Sequence, residues 1–109
     1  MCTYITERLA LGGTAISAGE WFSLTDATVY FDHPQHAPFD HSLNIDFLDL
    51  GSAPRRVGVE LEPAGALELA RRILAVLAAL PEGMAPEGEQ ARRLVAAWGE
   101  GQERRGLDP

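Results

Sequence analysis

The clearest alternation of apolar and polar positions lies between residues 28 and 47. Every second residue of two stretches is apolar until a histidine is reached: Val29, Phe31 and His33 in the first, and His41, Leu43, Ile45 and Phe47 in the second. This period of two residues is typical of strands with one buried face. Prolines at positions 34 and 38 mark the segment between them as a loop. The pattern therefore predicts a long antiparallel hairpin.

The apolar faces of the two strands also predict how they pair. If both face the core, Val29 lies opposite Ile45, Phe31 opposite Leu43, and His33 opposite His41. A slip of one residue would turn one apolar set outward, which disfavours other registers. Because directly opposed residues have Cβ atoms about 5 Å apart, two imidazoles are expected side by side beneath the loop.

Weaker alternation predicts further strands on both sides of this hairpin. Residues 3–11 form a first strand, and the small residues from Gly12 to Gly19 predict a flexible loop rather than a tight two-residue turn. A second extended segment begins at residue 21, with a bend or bulge near residues 23–26. A fourth strand covers residues 55–61, where Gly58 indicates a close backbone approach or a bulge.

The C-terminal part has the periodicity of helices. Pro63 suits the first turn of a helix, and apolar residues follow at helical spacing: Ala66, Leu69, Ala70, Ile73, Leu74, Leu77 and Leu80. A second amphipathic helix is predicted from Pro86 to Trp98. Beyond it, residues 99–109 are predicted to form a flexible tail.

Strands followed by helices predict an α+β fold, with a four-stranded antiparallel sheet and two C-terminal helices packed on one face. Residues 1–98 would form this single domain. The other sheet face mixes aromatic and small polar residues, so it is either solvated or packed against a second copy. Since one layer of helices buries little for a domain of 109 residues, we expect a homodimer, with a small-molecule ligand as a further partner.

Charge and composition limit the classes of partner and of enzyme that are compatible with this sequence. The formal net charge is −7, and the nine basic residues are all arginine. Nucleic acid and anionic membranes would repel such a surface, so we predict that neither is a partner. The lack of lysine excludes Schiff-base chemistry and the P-loop lysine mechanism. A single cysteine, no long apolar run and no secretory pattern at the start predict a cytoplasmic protein.

The three histidines have the spacing H-x2-H-x4-H, at His33, His36 and His41. Three imidazoles with an open fourth position are typical of a catalytic zinc site, so we predict a divalent transition metal here, with zinc preferred. Asp32 or Asp40 could accept the second ring N–H of a ligand and fix its tautomer. The alternative to a metal site is that these histidines only make hydrogen bonds in the loop and at the strand ends.

Other residues leave further interpretations open. Without a metal, the histidines could act as a general acid and base near neutral pH. The candidate catalytic residues are Cys2 and Asp32. After removal of Met1, Cys2 would be an N-terminal nucleophile or a soft metal ligand, although a lone cysteine is more often inert. Asn44 and Asp46 could line a pocket on the second sheet face or lie at a dimer contact.

Several stretches resemble one known family: MCTY at the start, WF before the second strand, and the runs TDATVYFDHPQHAP and HSLNIDF. The chain is similar here to uncharacterised short bacterial proteins that form a domain of unknown function. The resemblance covers residue 1 to about residue 80. It implies no reaction, substrate or cofactor, and it points to Cys2, the His-Pro-x-His-Ala-Pro stretch and residues 44–47.

Two hypotheses of different classes follow. The first is a small metal-binding protein, as a hydratase, hydrolase or lyase in which the ion acts as Lewis acid. The second is a non-catalytic homodimeric module that binds a ligand or partner. Whether the chain is an enzyme is left open by its sequence.

Overall fold

The computed structural model describes residues 5–104, with side chains described through residue 98. The elements are β1 (Ile5–Ser17), β2 (Glu20–Asp32), β3 (Ser42–Asp49), β4 (Arg55–Leu61), α1 (Pro63–Ala78) and α2 (Pro86–Arg104). The strands form one antiparallel sheet in the order β1-β2-β3-β4. The predicted α+β fold, with four antiparallel strands followed by two helices, is confirmed.

The hairpin between β1 and β2 differs from the sequence prediction. Ser17 pairs with Glu20, so the connection is a tight two-residue turn and not a flexible loop. Both turn residues have positive φ, 52° at Ala18 and 79° at Gly19, as a type I′ turn requires. The prediction failed because an alanine occupies a position that glycine, asparagine or aspartate normally fills.

The glycine pair at 12 and 13 does not end the first strand. Ala10 pairs with Asp26 and Gly13 with Leu24, so β1 has one residue more than β2 between these pairs. Two β1 residues therefore oppose Thr25, which is the arrangement of a β-bulge. The irregularity predicted near residues 23–26 exists, but the extra residue belongs to the partner strand.

The pairing of β2 with β3 follows the predicted register. Val29 is paired with Ile45 and Phe31 with Leu43, and the ladder ends at Asp32 and Ser42. Because the side chains alternate, this register places the apolar residues of both strands on one face and the polar residues on the other. His33 and His41 are the next residues on the apolar side, immediately beyond the last pair.

The polar face of the sheet holds the buried polar residues Asp32, Ser42 and Asn44. A row of directly paired residues crosses this face from Thr6 through Tyr30 and Asn44 to Glu60. The next row brings Asp46 opposite Gly58. Polar groups buried in such a position need hydrogen-bond partners. The loop between β2 and β3 lies close enough to supply some of these partners.

The chain divides into two compact units, Met1–Ala66 and Leu67–Pro109. Within the second unit, Arg92 of α2 donates hydrogen bonds of 3.1 and 3.2 Å to the carbonyl oxygens of Ala78 and Leu80. These carbonyls lie at the last residue of α1 and two residues beyond it, where a helix leaves acceptors unsatisfied. Gly88 allows close approach, because a Cβ there would lie 3.2 Å from the Leu77 oxygen. Arg92 therefore caps the first helix from the second.

The helices start at the predicted prolines, but α2 continues past Trp98 to Arg104. Residues 99–104 of the predicted tail thus belong to the helix, and residues 105–109 lie outside the described part of the chain. Among the described residues, neither helix is long and apolar enough to cross a membrane. The single domain over residues 1–98 and the packing of the helices on one sheet face stay predictions.

The turn at Ala18 and Gly19 generates a stability prediction. An L-residue with a side chain in the left-handed region costs about 1 kcal/mol, and asparagine tolerates this region better than alanine. Ala18→Asn is expected to raise the free energy of unfolding by about 0.5–1 kcal/mol, measured by urea denaturation. The control Ala53→Asn, at an exposed position outside the strands, should change it by less than about 0.5 kcal/mol. A lower stability for Ala18→Asn would contradict the turn assignment.

Candidate functional site

The loop of residues 33–41 connects the paired ends of β2 and β3, and it carries every histidine of the sequence. Its two ends are fixed by the pairing of Asp32 with Ser42. The position of the loop is therefore a consequence of the strand register. Side chains at its base lie at the end of the apolar face, while its middle lies over the polar face, as its contacts with Glu60 show.

The structure brings His33 and His41 together as predicted. Their ring centroids are 4.6 Å apart and the ring planes are tilted by 30°. The His41 ring is also nearly parallel to the Phe31 ring, with centroids 5.6 Å apart and planes at 8°. The aromatic contact supports one side of His41 and limits the rotamers available to it.

Asp40 contacts both of these histidines. Its backbone oxygen lies 3.1 Å from Nδ1 of His33, and its carboxylate oxygen Oδ2 lies 3.2 Å from Nδ1 of His41. Both oxygens are acceptors, so each Nδ1 carries the proton in the neutral ring and Nε2 carries the lone pair. Of the two aspartates predicted to fix a histidine tautomer, Asp40 takes this position.

His33, Asp40 and His41 form a group that could hold a metal ion. One ligand atom from each residue lies within 4.8 Å of the others. Ligand atoms of a tetrahedral zinc are about 3.3 Å apart, so closure requires movements of at most about 1.5 Å. His33 and Asp40 are exposed and His41 is half-buried. Side-chain rotation at the exposed positions can supply that movement.

His36, the third predicted ligand, is not in this group. It lies in the middle of the loop, where its backbone N–H donates a 3.1 Å hydrogen bond to Oε1 of Glu60. Its role as a ligand stays a prediction. Cys2 lies outside the described residues, and its predicted reactivity also stays a prediction.

Glu60 of β4 holds the loop through backbone hydrogen bonds. Gln35 N–H donates to Oε2 at 2.6 Å, and Ala37 N–H donates to Oε1 at 2.8 Å, beside the bond from His36. These bonds favour the charged carboxylate, and those from Gln35 and Ala37 are the main reason that the pKa of Glu60 is lowered. One carboxylate thus fixes three consecutive residues of the loop.

Asp32, the other candidate catalytic residue, is buried at the end of β2. Its Oδ1 accepts a 2.6 Å hydrogen bond from the backbone N–H of His33. Beside it, the Ser42 hydroxyl donates to Oδ1 of Asn44 at 2.6 Å. These contacts fix the base of the loop, and they give Asp32 a clear structural role.

The polar face and the middle of the loop enclose a pocket of about 470 Å³. Its lining includes Asn44 and Asp46, and also Tyr30, Arg56 and Glu60. Of the two positions considered for Asn44 and Asp46, the pocket is the one that the structure supports. Gly58 also lines it, and the close approach expected at this glycine comes from side chains: a Cβ there would lie 2.7 Å from Nη2 of Arg56.

Most of this chain matches a known protein family. The model of one family matches residues 1–86, which include the whole sheet, the loop and the first helix. The chain belongs to the family of unknown function DUF6295. This membership confirms the resemblance to an uncharacterised domain family. Neither the curated proteins nor the solved structures contain a match to the chain.

Sequence reasoning missed the role of Glu60 and the contribution of Arg56 and Tyr30 to a pocket. Glu60 lies 23 to 25 residues from its partners in the chain, and no local pattern marks it. The one available signal was its place on the polar side of the predicted fourth strand, where Val57, Val59 and Leu61 occupy the other side. That signal does not reveal a contact with backbone groups of a loop.

The lowered pKa of Glu60 gives a pH prediction with a definite sign. The stabilisation from its charged form is complete above the ordinary value of 4.5 and is lost as the pH falls through the lower pKa of the folded state. Amide hydrogen-exchange protection at residues 35, 36 and 37 is therefore expected to be constant above about pH 4.5 and to fall as the pH is lowered further. Protection here means the exchange rate relative to an unstructured peptide at the same pH.

Glu60→Gln should lower this protection at neutral pH and remove its acid dependence, because a neutral amide offers one acceptor oxygen without charge. Glu7→Gln, an exposed substitution on β1, is the matched control and should leave the loop amides unchanged. Loop protection that is the same in wild type and Glu60→Gln at every pH would contradict the role assigned to this carboxylate.

Proposed function

We propose that this protein binds a divalent transition metal, zinc by preference, at the end of the β2–β3 hairpin. The observation that supports this is the group formed by His33, Asp40 and His41, whose ligand atoms lie within 4.8 Å of one another. Imidazole nitrogen and carboxylate oxygen are both common ligands of zinc. Their convergence depends on the strand register, which holds the two imidazoles side by side.

The hydrogen bonds within the group also suit a metal. Nδ1 of His33 faces a carbonyl oxygen and Nδ1 of His41 faces a carboxylate. Such partners orient a ligand ring and raise the basicity of its other nitrogen. Asp40 can serve as the carboxylate ligand or as the partner that orients His41, and either role makes it necessary for tight binding.

Charge around the loop favours a cation. Asp32, Asp40 and Glu60 place three carboxylates at or beside the loop, in a chain with a formal net charge of −7. A field of this sign raises the local concentration of a divalent ion. Three protein ligands leave a coordination position for water or substrate, and a metal in such a site supplies Lewis acid chemistry for hydration, hydrolysis or lyase reactions.

Metal binding can be tested with protein purified without a histidine tag and titrated with zinc by calorimetry. One zinc per chain is expected in the wild type. His33→Ala and His41→Ala should abolish stoichiometric binding, because each removes a ligand. Asp40→Asn should weaken binding by about 10- to 100-fold.

His36→Ala is the matched control, since it removes an imidazole from the same loop and leaves the group intact. It should bind zinc as the wild type does. An equal loss in His36→Ala would contradict Asp40 as the third ligand and favour the set of three histidines. Failure of the wild type to bind zinc, nickel or cobalt would refute the metal site.

We also propose a homodimer, formed through the outer edge of the sheet. β1 is the edge strand of the described sheet and has 13 residues. Its hairpin with β2 exposes large apolar side chains: Ile5, Leu9, Ile16 and Trp21. A long apolar edge is a template for pairing with an identical strand, and a second copy brings the same edge.

Leu9→Glu is expected to shift the dimer towards monomer, because it places a charge among the apolar residues of this edge. Sedimentation velocity over a range of concentrations measures the change. Thr14→Glu adds the same charge at an exposed polar position of the same strand and should shift the equilibrium less. A monomer in the wild type at every concentration would refute the proposal.

Composition supports two further parts of this proposal. A cytoplasmic location agrees with the single cysteine, and the net charge of −7 argues against nucleic acid as a partner. Because nucleic acid is not expected as a partner, the substrate of the metal site would be a small molecule.

A further inference from the structure

The three histidines of the loop lie in two different surroundings. His33 and His41 belong to the group that could hold a metal ion, and Asp40 completes that group. His36 is not in the group and lines the pocket on the polar face of the sheet. Neither Asp40 nor His41 lines this pocket. The folded loop therefore separates one imidazole from the two that it could otherwise join at a metal.

The length of chain between the histidines does not explain this separation. His33 and His36 are three positions apart, so their Cα atoms are at most about 11 Å apart even in a fully extended chain. Zinc ligands commonly come from positions with two to four residues between them. A loop that was free to move could therefore bring both imidazoles to one ion.

The contacts of Glu60 account for the separation. This residue lies on β4, and its carboxylate accepts hydrogen bonds from three consecutive backbone N–H groups, at 2.6 Å from Gln35, 3.1 Å from His36 and 2.8 Å from Ala37. Hydrogen bonds to a charged acceptor are stronger than those between neutral groups. Because the N–H of His36 is one of the three donors, its backbone stays on the polar face while these contacts persist.

The position of His36 decides how many protein ligands a metal would have. Three protein ligands leave the fourth position of a tetrahedral zinc open, which is the arrangement of catalytic sites. Four protein ligands close the coordination shell, which is the arrangement of structural sites. His36 is the histidine that would supply the fourth ligand if the middle of the loop were released.

We propose that Glu60 is the positioning residue that keeps the metal site open. It holds His36 on the polar face and so leaves the fourth coordination position to water or substrate. This inference rests on the proposed metal site of His33, Asp40 and His41. Glu60 does not touch the metal in this arrangement and acts only through the backbone of the loop.

The ring signals of isotope-labelled histidine in nuclear magnetic resonance spectra test the proposal directly. In protein purified without a histidine tag, one equivalent of zinc is expected to change the signals of His33 and His41 and to leave those of His36 unchanged. In Glu60→Gln, which offers one acceptor oxygen in place of two, zinc is expected to change all three rings. Glu62→Gln is the matched control, because Glu62 is exposed and does not line the pocket; it should behave as the wild type does.

A double-mutant cycle followed by calorimetry gives a second readout. His36→Ala should leave the zinc affinity of the wild type unchanged but weaken that of Glu60→Gln by about tenfold or more, because it removes a ligand only there. If Glu60 only stabilised the fold, its substitution would not make zinc binding depend on His36. The backbone amide spectra of β2 and β3 show whether each variant keeps the sheet, and Glu60→Asp, which is one methylene group shorter, replaces Glu60→Gln if the latter is unfolded.

The two proposals fail in different ways. If zinc changes no histidine ring in the wild type, the metal site is refuted and this inference with it. If zinc changes His33 and His41 while His36 stays unaffected in both the wild type and Glu60→Gln, the metal site stands and the role of Glu60 is overturned. A zinc-induced change at His36 in the wild type would also overturn it, because the contacts of Glu60 would then fail to keep this histidine away.

Discussion

The pairing of β2 with β3 is the constraint on which the rest of the sheet unit depends. Because side chains alternate, one register determines both which residues face each side and how the connecting loop begins and ends. The ladder ends at Asp32 and Ser42, so the register brings the flanking residues His33 and His41 together, and their contacts with Asp40 then orient the two rings. A shift by one residue would separate the rings and turn Asn44 to the opposite face.

The loop links two different environments. At its base, His33 and His41 continue the apolar side of the sheet, and Phe31 packs against one of them. In its middle, backbone groups turn to Glu60 on the polar side. The same segment therefore carries two imidazoles at the end of the apolar face and, with its middle residues, lines the pocket on the polar face.

Patterns of two and of 3.6 residues were sufficient to predict four antiparallel strands, the register of the β2–β3 hairpin and both helix starts. The tight turn at Ala18 was not predicted, since an alanine with positive φ is rare and the sequence signal there is weak. The end of α2 was placed too early because glycines after Trp98 are typical of helix ends. Asp40 was recognised as a partner of a histidine because it is adjacent to His41 in sequence. Glu60 binds the loop from β4, more than 20 residues away in the chain, and no local sequence pattern indicates this contact.

The way in which Glu60 holds the loop has a consequence for the sequences that this fold can accept. It binds the N–H groups of Gln35, His36 and Ala37, which every residue except proline possesses. Prolines occur at 34 and 38, immediately outside these three positions. Side chains at 35, 36 and 37 can thus be exchanged without loss of the contact that positions the loop. Substitutions at these three positions would therefore alter the side chains of the loop, including those that face the pocket, while its backbone stays in place.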